Sequence, residues 1–338
     1  MKTNENKPTL SRRDFVTTAA AVGLGGMSAT VLTGVGALRA EAAQAGDRLL
    51  PAARDAGAMD KLVITVSPSG EAPNLPSQPD MRVPKLHADA VLEGFNAGAS
   101  IVHIRGTRVT EDPKIPQGRR GPTLDNWREV TSLVRSRCDI VVNFGSSAME
   151  PSIRKPLLAL KPDAGSFLVG HHYGGMAVPV EDQRRSALDH LEAGVLPEVE
   201  IFHTGDMANL NALIKTGVIR PPYCVTLFFD YTHYYAVPAT LQQLQNQLAL
   251  LPPNTHWTVC VKGPMHLKMA AYAIALGGHV RTGLENEVEL APGRPAKSQS
   301  ECVERIVRIA QDLGRPVATP QEAREMLGLP RKPEKPNL

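Results

Sequence analysis

Residues 61–67 read KLVITVS and residues 100–105 read SIVHIR, and the stretch between them has the pattern of an amphipathic helix. Both short runs are rich in β-branched residues, which favour strands. The intervening helix is expected over 84–97 and is followed by Gly98, a residue type that often ends a helix. This order predicts two parallel neighbouring strands joined by a crossover helix.

The same strand–helix unit recurs along the chain, and no antiparallel hairpin signal interrupts it. Six further strands are expected at 140–144, 165–169, 198–202, 223–229, 256–261 and 279–281. Further helices are expected at 124–137, 152–160, 180–193, 207–216, 238–250, 265–276 and 297–313. Eight such units predict a single-domain α/β protein, a (β/α)8 TIM barrel over 61–329. A doubly wound open sheet is the competing fold, but no glycine-rich phosphate motif follows the first strand.

The N-terminus has the pattern of an export signal. Residues 11–16 read SRRDFV, a stretch rich in Gly, Ala and Thr follows, and AQA stands at 43–45. This order predicts a twin-arginine signal peptide over 1–45, an interaction with the export machinery, and a periplasmic mature protein. The alternative is a frayed basic N-terminus with a chance Arg-Arg pair. Residues 46–60 are expected to form a linker, and the charged, proline-rich residues 330–338 a disordered tail.

Composition excludes several classes of protein. The apolar fraction of 42% supports a large core, and a net charge of +3 gives no indication of a nucleic-acid partner. The four cysteines, none of them in a C-x-x-C pair, argue against a zinc knuckle or redox pair; they are Cys138, Cys224, Cys260 and Cys302. Cys224 and Cys260 are expected to be small buried apolar residues within strands, and one disulfide is an open alternative.

Polar residues stand where the predicted strands end, and in such a barrel these ends form the active site. Each of these residues alone is more typical of a solvated loop, so the hypothesis rests on their convergence. Within the second strand, His103 and Arg105 share a face that points into the barrel mouth. Glu285 is the natural partner for Arg105, Arg281 or a metal. Glu200 and His203 are three residues apart, so a regular strand cannot aim both inward.

Five motifs resemble those of the β-keto acid cleavage enzyme family. They are GASIVH at 98–103, LPEVEIF at 196–202, ALGGHVRTGLEN at 275–286, AKS at 296–298 and ATPQEAREMLGL at 318–329. The resemblance covers essentially the whole expected barrel and implies the TIM-barrel fold. It also implies a zinc ion that binds a β-keto acid, retro-Claisen cleavage with acetyl-CoA that yields acetoacetate and a new acyl-CoA, and a homo-oligomer.

The same resemblance assigns roles to individual residues. It implies catalytic roles for Glu200, Arg281, Ser146 and the position of Asn286, and substrate contacts for Glu71 and Ser147. Contacts of Arg105 and His172 with a small carboxylate or β-keto acid substrate are expected instead from their places at the ends of strands. His103 and Glu285 are the implied zinc ligands, with His171 or His203 as candidates for a third.

Three of these positions depart from the family pattern, and one of them is His203, which stands where the family has an aspartate. Arg105 stands where the family has a second zinc-ligating histidine, and Asn286 stands where it has an acidic residue. The arginine would repel a metal ion, and an amide cannot act as a base, so both zinc binding and proton transfer stay open. A periplasmic location also argues against a CoA thioester as co-substrate. Two alternatives are therefore an exported carboxylate-binding protein without turnover and a metal-assisted hydrolase that does not use CoA.

Overall fold

A computed structural model describes residues 60–68, 79, 82–105, 123–145, 147, 151–171, 177–286, 289–291 and 293–331. Its central feature is a closed barrel of eight parallel strands in sequence order, which confirms the predicted fold. The strands are β1 (Ile64–Val66), β2 (Ile101–Arg105), β3 (Val141–Gly145), β4 (Ala164–Leu168), β5 (Leu196–Ile201), β6 (Tyr223–Phe229), β7 (Thr255–Val261) and β8 (His279–Thr282). The predicted signal (1–45), most of the linker and most of the tail lie outside the described residues.

Helices surround the barrel and agree with the expected order. They are α1 (Pro84–Asn96), α2 (Leu124–Arg135), α3 (Pro151–Leu158), α4 (Val180–Ala193), α5 (Asp206–Lys215), α6 (Leu241–Leu248), α7 (His266–Ala275), α8 (Gln299–Asp312) and α9 (Pro320–Met326). Local sequence explains their ends: Thr123 caps α2 in a capping box, and Gly194 ends α4 with φ of 67°. None of the described helices is long and apolar enough to cross a membrane.

The apolar core lies between the strands and the helices. Alternate strand residues such as Val102, Ile104 and Phe144 are completely buried there, and Trp127 of α2 packs on Phe144 with ring centroids 4.7 Å apart. Because paired residues of neighbouring strands point the same way, the register identifies the residues that face the barrel axis. His103 pairs with Asn143. The inside of the barrel is therefore polar at this height, whereas the layer between the strands and the helices is apolar.

Two elements were not anticipated from the sequence. After β8 the chain forms an antiparallel hairpin of β9 (Glu289–Ala291) and β10 (Arg294–Pro295), so the expectation of no hairpin is wrong at this point. Helix α9 lies at the other end of the barrel, where Arg324 makes two hydrogen bonds of 2.8 and 2.9 Å to Asp163. Leu327 packs there with Val63 and other apolar residues. This end is closed, which leaves the carboxyl ends of the strands as the open end.

Candidate active site

An ion cluster lies where β8 ends. Arg281 donates from Nη2 to Glu285 at 2.7 Å, and Arg105 donates from Nη1 to the other carboxylate oxygen at 3.0 Å. Arg281 also donates from Nε to the Ser67 hydroxyl at 2.7 Å. Gly283 makes this turn feasible, because it adopts φ of +129° and a Cβ there would lie 2.4 Å from the Ser67 carbonyl. The turn thus brings Glu285 back between the two guanidinium groups.

The charges of this cluster are fixed at neutral pH. Burial disfavours the charged form of Glu285, but Arg281 and Arg105 outweigh it and lower its pKa to about 2. Burial also works against the charge on Arg281, whose pKa is nevertheless raised, mainly by Glu285. Two guanidinium groups therefore share one carboxylate. Such a cluster is suited to bind an anion.

A second carboxylate occupies the barrel interior below this cluster. Glu198 accepts hydrogen bonds from Ser166 at 3.0 Å, from Thr226 and from the Asn143 amide. His103 Nδ1 lies 3.7 Å from the same carboxylate. Burial opposes ionisation of Glu198, yet the neighbouring donors lower its pKa, so it is a carboxylate.

His103 is enclosed by its neighbours rather than directed to the open mouth. It is 1% exposed, and a Cβ on Gly145 would lie 2.5 Å from its Nε2. Burial and the nearby Arg281 lower its pKa, which favours the neutral imidazole. The prediction that His103 and Arg105 share the inner face of β2 agrees with the register of that strand, in which these residues pair with Asn143 and Gly145.

Glu200 is the ionisable residue of this site with a pKa in the physiological range. Burial and the charge of Glu198 raise its pKa to about 7, although Arg281 and a hydrogen bond from Ser147 oppose that shift. Glu200 and Glu198 both face inward because they are two residues apart on β5. A buried carboxyl group of this kind can exchange a proton at neutral pH.

Asn286 follows Glu285 and belongs to a network of neutral groups. Tyr231 donates its hydroxyl hydrogen bond to the Asn286 Oδ1, and the Cys260 thiol approaches the same oxygen at 3.6 Å. Burial raises the pKa of Tyr231 well above its usual value and that of Cys260 to about 12, so both groups keep their protons. Cys260 pairs with Arg281 across β7 and β8, which places the network beside the ion cluster.

Buried aromatic residues on β6 and on the segments that follow β5 and β6 pack together beside the ion cluster. Phe202 stacks on both Phe228 and Tyr234, with ring centroids 4.4 Å apart in each pair. The guanidinium carbon of Arg281 lies 5.5 Å from the centre of the Phe228 ring. The ion cluster therefore lies against a cluster of buried aromatic side chains.

The structure brings some of the predicted residues together and separates others. Arg105, Glu200, Arg281, Glu285 and Asn286 lie around the open end, and Ser147 contacts Glu200. Glu71, Ser146 and His172 lie outside the described residues.

His171 and His203 form a separate pair. Their ring centroids are 4.8 Å apart, His171 Nδ1 lies 3.8 Å from Asp206, and His203 Nε2 lies 2.8 Å from the Tyr234 carbonyl oxygen.

The described residues do not fit the zinc site that the resemblance implies. Both oxygens of Glu285 contact arginine nitrogens, and His103 faces Glu198 and the backbone of Gly145. Across the described part of the chain, no three His, Cys, Asp or Glu side chains are grouped so that they could hold a metal ion. A guanidinium next to the implied ligand adds repulsion. Zinc binding stays a prediction.

Sequence analysis missed several residues of the site. Glu198 has no assigned role in the sequence predictions, although its alternation with Glu200 indicates that both side chains share one face of the strand. Tyr231 and Cys260 were not recognised because an aromatic residue or a cysteine near a strand end is ordinary core material. All four cysteines are free, so the alternative of a disulfide is wrong.

Comparison with known proteins identifies the family. A family model described as beta-keto acid cleavage enzyme matches residues 61–329. The chain belongs to the beta-keto acid cleavage enzyme family. A 3-keto-5-aminohexanoate cleavage enzyme of Fusobacterium nucleatum subsp. nucleatum is 32% identical over 282 residues, which cover 80% of this chain and 99% of that protein. Other members of the family are named for reactions of different acids.

One such member is a 3-oxoadipate:acetyl-CoA acetyltransferase of Cupriavidus necator, 27% identical, with coverage of 79% of this chain and 95% of that protein. Among solved structures, apo ObcA has a TM-score of 0.59 at 20% identity and covers 75% of this chain and 66% of its own. At that identity the likeness supports the barrel fold alone.

Proposed function

We propose that this member of the beta-keto acid cleavage enzyme family cleaves a carbon–carbon bond of a small β-keto acid by a retro-Claisen reaction. The observation that carries the proposal is the cluster in which two arginines share Glu285 at the open end of the barrel. The side chain of Arg105 is 17% exposed, so this guanidinium can bind the substrate carboxylate. Glu200, with a pKa of about 7, is the proposed group for proton transfer.

The proposed acyl acceptor is the thiol of CoA. The Cupriavidus necator relative is named for transfer involving acetyl-CoA. In the corresponding reaction, the acyl group of the β-keto acid joins the CoA sulfur, and the acetyl group released from that sulfur joins the remaining two-carbon acid to give acetoacetate. Hydrolysis is the related alternative, in which water takes the acyl group and no CoA is consumed.

A panel of β-keto acids, incubated with the purified protein with and without acetyl-CoA, tests this proposal. We expect acetoacetate and a new acyl-CoA, detected by mass spectrometry, only when acetyl-CoA is present. Arg281→Lys keeps the charge but loses the fork that contacts Ser67 and Glu285, so its turnover is expected to fall at least about 100-fold. Products without acetyl-CoA would favour the hydrolase, and no product from any acid would contradict an enzymatic role.

A second candidate function is carboxylate binding without turnover. The observation in its favour is Asn286, an amide that cannot accept a proton where the resemblance implies an acidic residue. Tight binding of β-keto acids without any product would support this candidate.

Elemental analysis of the same preparation tests zinc, and light scattering after size exclusion tests the homo-oligomer that the resemblance implies.

We further propose that the protein is exported by the twin-arginine pathway to the periplasm. The support is the SRRDFV stretch at 11–16. Replacement of Arg12 and Arg13 by lysine is expected to leave the full-length chain in the cytoplasm, as judged by cell fractionation. The same distribution for the variant and the unaltered chain would contradict this proposal.

A further inference from the structure

Two buried nitrogen donors at the carboxyl ends of the strands have no partner in the part of the chain that the structure describes. Arg281 Nη1 and Asn286 Nδ2 have no hydrogen-bond acceptor among the described residues, although the two residues are only 1% and 2% exposed. Buried polar groups are nearly always hydrogen-bonded, so an unpaired pair of this kind points to a ligand atom. Both donors belong to the wall that carries Glu285.

The direction of the Asn286 donor is set by its neighbours. Tyr231 donates to Oδ1, and the Cys260 thiol at 3.6 Å approaches the same oxygen. Because both groups approach Oδ1, the NH2 group of the same amide points away from Tyr231 and Cys260. Tyr231 is 6% exposed and packs edge-on against Phe228 at 5.0 Å, which holds its hydroxyl in place.

The direction of the Arg281 donor is equally constrained. Nε donates to Ser67 and Nη2 to Glu285, which leaves Nη1 as the remaining nitrogen of the fork. Because Arg281 pairs with Cys260 in the barrel, and Cys260 contacts Asn286, the two unpaired donors share a neighbour. Arg281 supplies a permanent positive charge, and Asn286 supplies a neutral donor.

We propose that Asn286 Nδ2 and Arg281 Nη1 together bind the keto oxygen of the β-keto acid, and that Tyr231 is a positioning residue that orients the Asn286 amide. This inference rests on the proposed function and assigns the polarisation of the carbonyl to two side-chain donors. A pair of fixed donors at a carbonyl oxygen stabilises the negative charge that develops there. The arrangement also explains the departure at Asn286: an acidic residue would repel that oxygen, whereas an amide donates to it.

Calorimetric titration with acetoacetate and with butyrate, which lacks only the keto oxygen, isolates this contact. The native protein is expected to bind acetoacetate at least about tenfold more tightly, because butyrate leaves both donors unpaired. In Asn286→Ala we expect the preference to fall to less than about threefold. Tyr231→Phe is expected to weaken acetoacetate binding about three- to tenfold and to leave butyrate binding unchanged, an effect that general loss of structure would not produce.

Tyr223→Phe is the matched control, because it removes the same hydroxyl from the first residue of β6, at the closed end of the barrel. It should bind both acids like the native protein. Asn286→Asp keeps the shape of the side chain and serves as a second variant, with an expected loss of acetoacetate affinity of at least about tenfold. Equal affinity of the native protein for the two acids would overturn the inference and leave the carboxylate site intact. Binding of neither acid would overturn the proposed function as well.

Discussion

Glu200 offers the sharpest test of the electrostatics of the site. Its pKa is raised from 4.5 to about 7, first by burial and then by Glu198. One pKa unit corresponds to about 1.36 kcal/mol, so this elevation corresponds to about 3 kcal/mol. Because the folded state binds the proton more tightly than the unfolded chain, this stabilisation is complete below about pH 4.5 and is lost as the pH rises through about 7.

Glu200→Gln replaces the titrating group by a neutral amide of the same shape. The free energy of unfolding, measured by urea denaturation from pH 5 to pH 8, should fall less steeply for this variant than for the native protein. Relative to the native protein, the free energy of unfolding of the variant should rise by about 2 to 3 kcal/mol between pH 5 and pH 8. If Glu200 is also the proton acceptor, kcat of the native protein should rise with pH through about 7.

Glu198→Gln tests the other carboxylate of the strand, and because the charge of Glu198 raises the pKa of Glu200, this variant should also lower that pKa. The pKa of Glu198 is lowered, so its contribution to stability is present above about pH 4.5 and is lost only as the pH falls. This variant should lose stability at every pH from 5 to 8, by about 2 to 4 kcal/mol, because three donors lose their charged acceptor. Identical pH profiles for native protein and Glu200→Gln would refute the assignment of a pKa near 7 to Glu200.

Three further substitutions test the surroundings of the site. Glu285→Gln removes the carboxylate between two guanidinium groups and should lower the free energy of unfolding by about 3 kcal/mol in urea denaturation; an unchanged value would show that the cluster does not stabilise the fold. Gly145→Ala should cost about 1 to 3 kcal/mol in the same assay, since its Cβ would lie 2.5 Å from His103 Nε2, whereas Gly205→Ala, with nothing within 4 Å, should be nearly neutral. Arg105→His restores the H-x-H pattern of the family and should raise zinc affinity at least about tenfold in a chelator competition; no gain would contradict the expected repulsion.

The barrel was predictable because its signal is repeated and local. Each strand is a short run of β-branched residues, each helix has an apolar face, and eight such units leave few alternative folds. The hairpin of β9 and β10 gave no comparable signal, because its strands have three and two residues. Helix α9 was missed as an element, although Thr319 and Glu322 form a capping box in the structure.

The site was predictable only in part, because hydrogen-bond partners depend on distances between strands. Alternation along β2 placed Arg105 inside the barrel, and the motif around Glu285 supplied a candidate partner. The sequence could not show that Glu285 contacts two arginines at once, since that depends on the turn at Gly283.

Arg105 is the main support for the proposal that this site binds an anion. The resemblance implies a zinc ligand at this position, and a divalent cation there would supply positive charge to bind the substrate and polarise its carbonyl. Here Arg105 and Arg281 supply two positive charges, and Glu285 takes the place of a counter-ion between them. A cation added to this cluster would have to displace one guanidinium from Glu285, whereas a carboxylate ligand could bind the partly exposed Arg105 without breaking either contact. The two arginines therefore favour carboxylate binding in this barrel whether or not a metal also binds.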